Sequence, residues 1–356
     1  MPNDTTDQGA ADSSRARINK PYSRRSHKFE AEGGYRILSN AKVGLGYEYE
    51  TVERDFTEVE DTDEHTGRIN LRATPTPTVT TWLEYEFATR DGSEYVSNRP
   101  FLVSHTDAFI AGESPDDLFE NNPFLRKFYI ADRRRHLVKG AITAMPTDNL
   151  VLGLSGSYNK SDYHNTEIGL TDMNLGNITG DVAFMPTDNL TLTGFVTYES
   201  GSYDMTGFER VGFGPFSSIT PDDDLDFVQT FFNHDGFWTA DMRTHGFTLG
   251  AGIEWEAIPD RLNFTVDYAY SDMTTEFDLD AERFATPSLP DLESKLHSVG
   301  VTGEYKFDES ISGRLGFRFE HYDQEDFALD GSGLSTSSFL GFGNDSPSYN
   351  AHVVWG

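Results

Sequence analysis

The sequence predicts an all-β protein, a transmembrane antiparallel up-and-down β-barrel, on three observations. Apolar and polar side chains alternate with a period of two along segment after segment. Short turns alternate strictly with long acidic connections. Aromatic side chains collect at both ends of the alternating segments, where a barrel meets its two membrane interfaces.

The alternation marks thirteen segments, near 27–37, 42–52, 65–73, 78–89, 135–144, 149–160, 175–184, 189–200, 238–257, 261–272, 294–307, 310–322 and 347–356. In the second, Val43, Leu45, Tyr47 and Tyr49 face one way and Gly44, Gly46, Glu48 and Glu50 the other. In the ninth, Phe247, Leu249, Ile253 and Trp255 oppose Thr248, Gly250, Gly252, Glu254 and Glu256. The tenth sets Leu262, Phe264, Val266, Tyr268 and Tyr270 against Asn263, Thr265, Asp267 and Ala269. The twelfth sets Ile311, Leu315, Phe317 and Phe319 against Ser312, Arg314, Arg318 and Glu320.

Six connections are short and rich in Pro, Asn and Asp, the residues of tight turns: Ser39-Asn40, Thr74–Pro77, Pro146–Asn149, Pro186–Asn189, Pro259-Asp260 and Asp308-Glu309. The sequence Met145-Pro-Thr-Asp-Asn-Leu150 recurs as Met185-Pro-Thr-Asp-Asn-Leu190, which reads as successive hairpins. Long acidic connections are expected at 53–64, 90–134, 161–174, 201–237, 273–293 and 323–346. The barrel is expected over 27–356, after a polar tail or upstream loop at 1–26. Strands leaving a short turn end in Tyr49, Phe87, Tyr158, Tyr198, Tyr270 and Phe319; those approaching one carry Tyr35, Phe184, Trp255, Phe307 and Trp355. With the short turns on the periplasmic side, the long connections are extracellular.

Composition agrees. The 356 residues have a net charge of −31, 13% aromatics, 32 Gly and no Cys, with a mean hydropathy of −0.52. Such charge argues against a nucleic-acid partner. The missing thiols exclude disulfides, thiolate metal sites and covalent haem attachment by C-x-x-C-H. No run is apolar enough for a spanning helix, but a spanning strand needs only about 9–11 residues. The odd segment count and a start without an apolar signal-peptide core are read as signs of the C-terminal half of a larger barrel.

Alternation assigns an inward polar face to Glu48, Glu50, Arg68, Arg72, Glu84, Glu86, Lys139, Asp181, Glu254, Glu256, Asp267, Lys306, Arg314, Arg318 and Glu320. These residues form either a charged cradle for an inserted protein or the wall of a water-filled pore. Glu58–Glu64 and Asp222–Asp226 offer oxygen ligands for calcium but lack the EF-hand pattern, so solvated acidic loops are the better reading. His27, His65, His136, His245, His297 and His352 lack metal-ligand spacing and read as isolated lumen or loop residues. Two basic runs, Arg15 to Lys28 and Arg133-Arg134-Arg135, suit either anionic lipopolysaccharide or the acidic loops. No local motif selects a catalytic residue, so no enzyme is expected.

Three stretches resemble the MtrB/PioB family of outer-membrane barrels: Tyr22-Ser-Arg-Arg-Ser-His-Lys-Phe-Glu-Ala-Glu-Gly-Gly-Tyr35, Gly46–Glu50 with Glu53–His65, and Gly341–Val353. The resemblance implies a barrel of about 26 strands, of which this chain supplies about half. It implies a structural sheath that holds a periplasmic decahaem c-type cytochrome across the bacterial outer membrane for extracellular electron transfer. An outer-surface multihaem cytochrome is an implied further partner. Haem c belongs to the cytochrome, not to this chain. A diffusion porin or substrate-specific channel is the alternative.

Overall fold

The computed structural model describes residues 20, 22–112, 118, 122, 124–208, 237–281, 288–326 and 348–356. Within them, fourteen strands form one sheet. In chain order they are β1 (Arg24–Leu38), β2 (Ala41–Arg54), β3 (Asp61–Thr76), β4 (Val79–Gly92), β5 (Leu125–Arg126), β6 (Arg133–Thr147), β7 (Leu150–Asp162), β8 (Ile168–Thr187), β9 (Leu190–Phe208), β10 (Phe237–Ile258), β11 (Leu262–Ala281), β12 (Leu292–Lys306), β13 (Ser312–Glu325) and β14 (Tyr349–Trp355). All but β5 follow one another as an antiparallel meander, which accounts for the thirteen expected segments. The two-residue β5 pairs in parallel with β8 and was not expected.

The six short turns stand where the sequence places them, and local side chains build them. Asn40 ties the first turn to the end of β3 beside the second, donating from Nδ2 to the Thr74 carbonyl at 3.0 Å. The Asp308 carboxylate accepts from the Ser310 and Ile311 amides. In the repeated Met-Pro-Thr-Asp-Asn-Leu turns, Thr147 donates to Asn149 Oδ1 and Thr187 to Asn189 Oδ1, both at 2.8 Å. Identical sequences thus make identical turns.

At the opposite end the strands run further than the alternation marks. β9 and β10 stay in register from Leu190↔Trp255 to Phe208↔Phe237. The connection expected at 161–174 occupies 163–167, and that expected at 53–64 occupies 55–60. Ladder hydrogen bonds join backbone groups, so they persist where the outward side chains turn polar and the alternation fades. Asp222–Asp226 and most of the connections at 201–237 and 323–346 lie outside the described residues.

Directly paired residues share a face, so the register defines two faces across the whole meander. One is apolar and carries no protein cover: Leu45, Leu315 and Val354 are each more than 60% exposed. An uncovered apolar band of this extent is what a lipid-facing barrel wall presents. The long-connection end of this face holds Tyr49, Phe87, Tyr158, Tyr198, Tyr270 and Phe319, as expected. At the other end Tyr35, Phe184 and Trp255 hold theirs. Trp355 is a correction: it pairs with Gly316 and lies on the polar face, its indole over the bare Cα of that glycine. Val354, its neighbour, takes the outward position.

The sheet is open. Among the described residues β1 pairs only with β2, and β14 only with β13.

Candidate functional site

The register brings all fifteen candidate polar residues onto one face. Glu86 pairs with Arg68, Glu84 with Lys139, and Arg314 with Glu304; Arg318 and Asp267 both pair with Gly300. Arg68 is the hub. Its guanidinium lies 3.3 Å from Glu30, 3.0 Å from Glu32, 3.6 Å from Glu48 and 3.6 Å from Glu86. Lys139 bridges Glu84 and Glu86 at 3.1 and 2.9 Å. Glu50 accepts from the Ser26 hydroxyl. Arg72, Asp181, Glu254, Glu256, Asp267, Lys306 and Arg314 form no ion pair among the described residues.

Sequence reasoning missed Lys28, Glu30 and Glu32, which join the network from β1. Their even-numbered alternation would have found them by the rule that found Glu48 and Glu50. The connected charged network spans β1–β6, and a separate Arg318–Glu320 pair at 4.0 Å stands on the same face of β13. Across β7–β12 the same face sets small groups, among them Ser157, Thr179, Thr248, Gly252, Ser271 and Gly300, between the charged Asp181, Glu254, Glu256, Asp267 and Lys306 and the Phe195 and Trp238 rings.

One end of the polar face is covered. The connection from β4 to β6 carries helices α1 (Arg99–Ser104) and α2 (Asp107–Ile110) besides β5. The strand residues it buries, Val52, Thr62, Ala88 and Ser161, all belong to the polar face, so the connection folds inward over that face. Arg90 fixes it by donating to the carbonyls of Phe128 and Ala131, both at 2.6 Å from Nη2. Asp132 accepts from the Gly92 amide at 2.8 Å. Phe101 is buried and stacks on His105 at 4.0 Å between ring centres.

Beneath this cover lies a cavity of about 540 Å³ whose lining includes Tyr22, Arg54, Glu58, Arg90, Lys127 and Tyr129. Glu58 is buried and accepts from Lys127 Nζ at 2.7 Å. Burial works against the charge on Lys127, but the Glu58 carboxylate outweighs it and raises the pKa. Burial pushes the Tyr95 phenol upward; its hydroxyl donates to the Leu125 carbonyl.

The acidic run Glu58–Glu64 is drawn into ion pairs. Glu58 meets Lys127, Glu60 meets Arg99, and Glu64 meets Arg133 and Arg135. Among the described residues no group of three or more His, Asp or Glu side chains is arranged to hold a metal ion. The histidines are a second correction. His27, His65, His136, His245, His297 and His352 stand on the apolar face, not in the lumen or a loop. Four of them meet an aromatic ring on the preceding meander strand. The alternation already placed them opposite the polar positions, but their polarity hid it.

The geometry is that of a membrane barrel wall, and the family model for the MtrB/PioB outer membrane beta-barrel porins matches residues 3–356. The chain belongs to the MtrB/PioB family. It is 26% identical over 337 residues to outer membrane protein MtrB of Shewanella baltica (strain OS185), covering 94% of this chain and 43% of that protein. This MtrB/PioB chain therefore spans less than half the length of the curated relative it matches. Among solved structures, the closed form of the ferric-catecholate import receptor Fiu of E. coli K12 aligns with a TM-score of 0.50 at 12% identity. That alignment covers 94% of this chain and 54% of the receptor. The ferric preacinetobactin receptor BauA of Acinetobacter baumannii aligns at 0.48 and 10% identity, over 94% and 51%. The likeness to Fiu is one of fold alone. Like its family, the MtrB/PioB chain is an outer-membrane protein of β-barrel architecture, and the family is one of barrels rather than enzymes.

Proposed function

We propose that the polar face lines the lumen of an outer-membrane sheath that holds a periplasmic decahaem c-type cytochrome across the bilayer. The observation that carries this reading is the polar face, which runs from β1 to β13 behind an apolar one. Family membership supports it. A hydrocarbon core of about 30 Å is too thick for one long electron step, so a chain of closely spaced haems has to be held within it. The chain has no cysteine and offers no thioether attachment, so the haem belongs to the partner.

The barrel acts by position, without catalysis. Once further strands close it, its backbone ladders satisfy their own hydrogen bonds in lipid, and its inner face supplies donors and acceptors to the inserted protein. The fifteen polar residues, Glu48 to Glu320, are its contacts. The ion-paired network on β1–β6 orients the cytochrome, and the small residues Ser157, Thr179, Thr248 and Ser271 let it approach the wall closely where they stand. The long connections face outward, toward an outer-surface multihaem cytochrome and lipopolysaccharide.

A small-solute channel is the second reading. The porin description of the family and the inward-folded connection between β4 and β6 favour it. Purification of the full-length protein from its own cells separates the two. The sheath requires stoichiometric co-isolation of a c-type haem protein. A steady, ion-conducting pore formed by the full-length protein without any cytochrome dependence would establish the channel instead.

A further inference from the structure

Alternation splits the run Arg133-Arg134-Arg135 between the two faces. Arg133 and Arg135 turn to the polar face, where they meet Glu64 at 2.8 Å and Glu86 at 3.6 Å. Arg134 turns to the apolar face, is exposed, and makes no ion pair among the described residues. Two residues further along that face stands His136, with Lys160 of β7 directly opposite it in the ladder. Lys160 is also exposed and also without an ion pair there. The acids that face this group are Asp162, opposite Arg134, and Asp172 beyond it.

The height of the group on the sheet is fixed by a repeated device. Phe87 lies against His136 with ring centres 4.9 Å apart. Tyr49–His65, Tyr270–His297 and Phe319–His352 repeat the pair across three other long hairpins at 5.0, 4.5 and 5.0 Å. These pairs form the aromatic level at the long-connection end, where headgroups begin. In two of them the tyrosine hydroxyl donates to a carboxylate, Tyr49 to Asp63 and Tyr270 to Asp272. Lys295 stands two residues from His297 as well but is paired with Glu293 at 2.9 Å; among the described residues Arg134 and Lys160 beside His136 form no ion pair. Tyr85 hydrogen-bonds His136 Nδ1 at 2.8 Å. A hydroxyl donating there leaves the imidazole proton on Nε2, a third donor.

Directly below, the wall is hollowed. Gly140 and Gly156 pair across β6 and β7 and leave a gap in the outward side chains. A groove of about 430 Å³ opens there, with walls that include Leu83, Val138, Ile142, Leu154, Tyr158 and Ile178. A cationic rim above an apolar groove matches a molecule with an anionic head and an acyl chain.

We propose that Arg134, His136 and Lys160 bind the phosphate of an outer-leaflet glycolipid whose acyl chain lies in the groove between Leu83 and Ile178. This rests on the reading that the long connections face outward. The groove is the reason for choosing a lipid over free phosphate.

The test uses the full-length protein in detergent and native mass spectrometry with bis-phosphorylated lipid A, dephosphorylated lipid A or inorganic phosphate. The unsubstituted protein should retain the phosphorylated lipid about tenfold better than the dephosphorylated one, the worth of one charge-assisted contact. Arg134→Gln with Lys160→Gln should erase that preference while heat-modifiable gel migration stays normal. Arg133→Gln, one residue away on the other face, should keep it. An unchanged preference in the double variant overturns the site, as does displacement of the lipid by millimolar inorganic phosphate. Orientation is read separately by labelling Glu60→Cys from outside intact cells, judged against the unsubstituted protein. Labelling with no lipid preference removes the site alone; no labelling removes the outward orientation, and the site with it.

Discussion

Arg68 holds together carboxylates from three strands. Glu30 and Glu32 come from β1, Glu48 from β2 and Glu86 from β4. Its side chain is only 20% exposed, so the pairs are partly shielded from water, yet Glu30 and Glu32 remain open to it. Solvent screening limits each pair, and the hub is worth about 1–2 kcal/mol rather than the sum of four. Arg68→Ala in the full-length barrel should therefore lower the unfolding midpoint in urea, with Arg68→Lys recovering part of the loss. An unchanged midpoint would mean that the four carboxylates are already solvated. At this scale the sequence was informative, because period two alone assigns a face. It sorted Glu48, Arg68, Glu86 and Lys139 correctly without any knowledge of their partners. It could not reveal the partners, which come from strands up to 55 residues away, as Glu84 and Lys139 do.

Between neighbouring strands, glycine and aromatic residues make a recurrent pair on the polar face. The Phe195 ring lies over Gly250, the Trp238 ring over Gly207 and the Trp355 ring over Gly316. A ring covering a bare backbone shields its hydrogen bonds and fills the space a side chain would take. A Cβ at position 250 would run into Phe195. Gly250→Val should cost about 1–3 kcal/mol by overpacking. Combining it with Phe195→Ala should cost less than the two changes added together; strict additivity in thermal unfolding would show that ring and glycine do not interact.

The covering connection between β4 and β6 is a second element-scale feature. Its small core holds Phe101, Ile130 and Ala131. Phe101→Ala should loosen it by about 3–5 kcal/mol, more than so small a unit can lose, and so speed proteolytic cleavage within 93–132 without disturbing the ladders. Equal cleavage rates would count against a packed cover. None of this was legible in the sequence. A polar stretch with scattered aromatics shows no period, and its burial depends on Val52, Thr62 and Ala88 lying beneath it. The turns were legible because Pro, Asn and Asp act locally. The strand ends were not, because a ladder continues wherever two backbones stay adjacent.

Over the whole molecule, the unsatisfied feature is the pair of edges. Among the described residues β1 and β14 each pair on one side only, and each carries lipid-level residues, Phe29 and Tyr35 on one and Val354 on the other. A backbone group left unpaired in hydrocarbon costs several kcal/mol, so a spanning sheet with two free edges is not a stable state in a bilayer. Closure requires that further strands, from the same polypeptide or another copy, complete both ladders. The thirteen-strand meander supplies no such pairing itself, since its first and last strands do not meet. The 356-residue polypeptide, refolded alone into detergent, should therefore associate through its edges and give a broad size distribution. Its gel migration should lack the compact, heat-modifiable form that closed barrels show. A sharp monomer with heat-modifiable migration would mean instead that β1 and β14 close on each other in solution, and the lumen would then be far narrower than an inserted cytochrome needs.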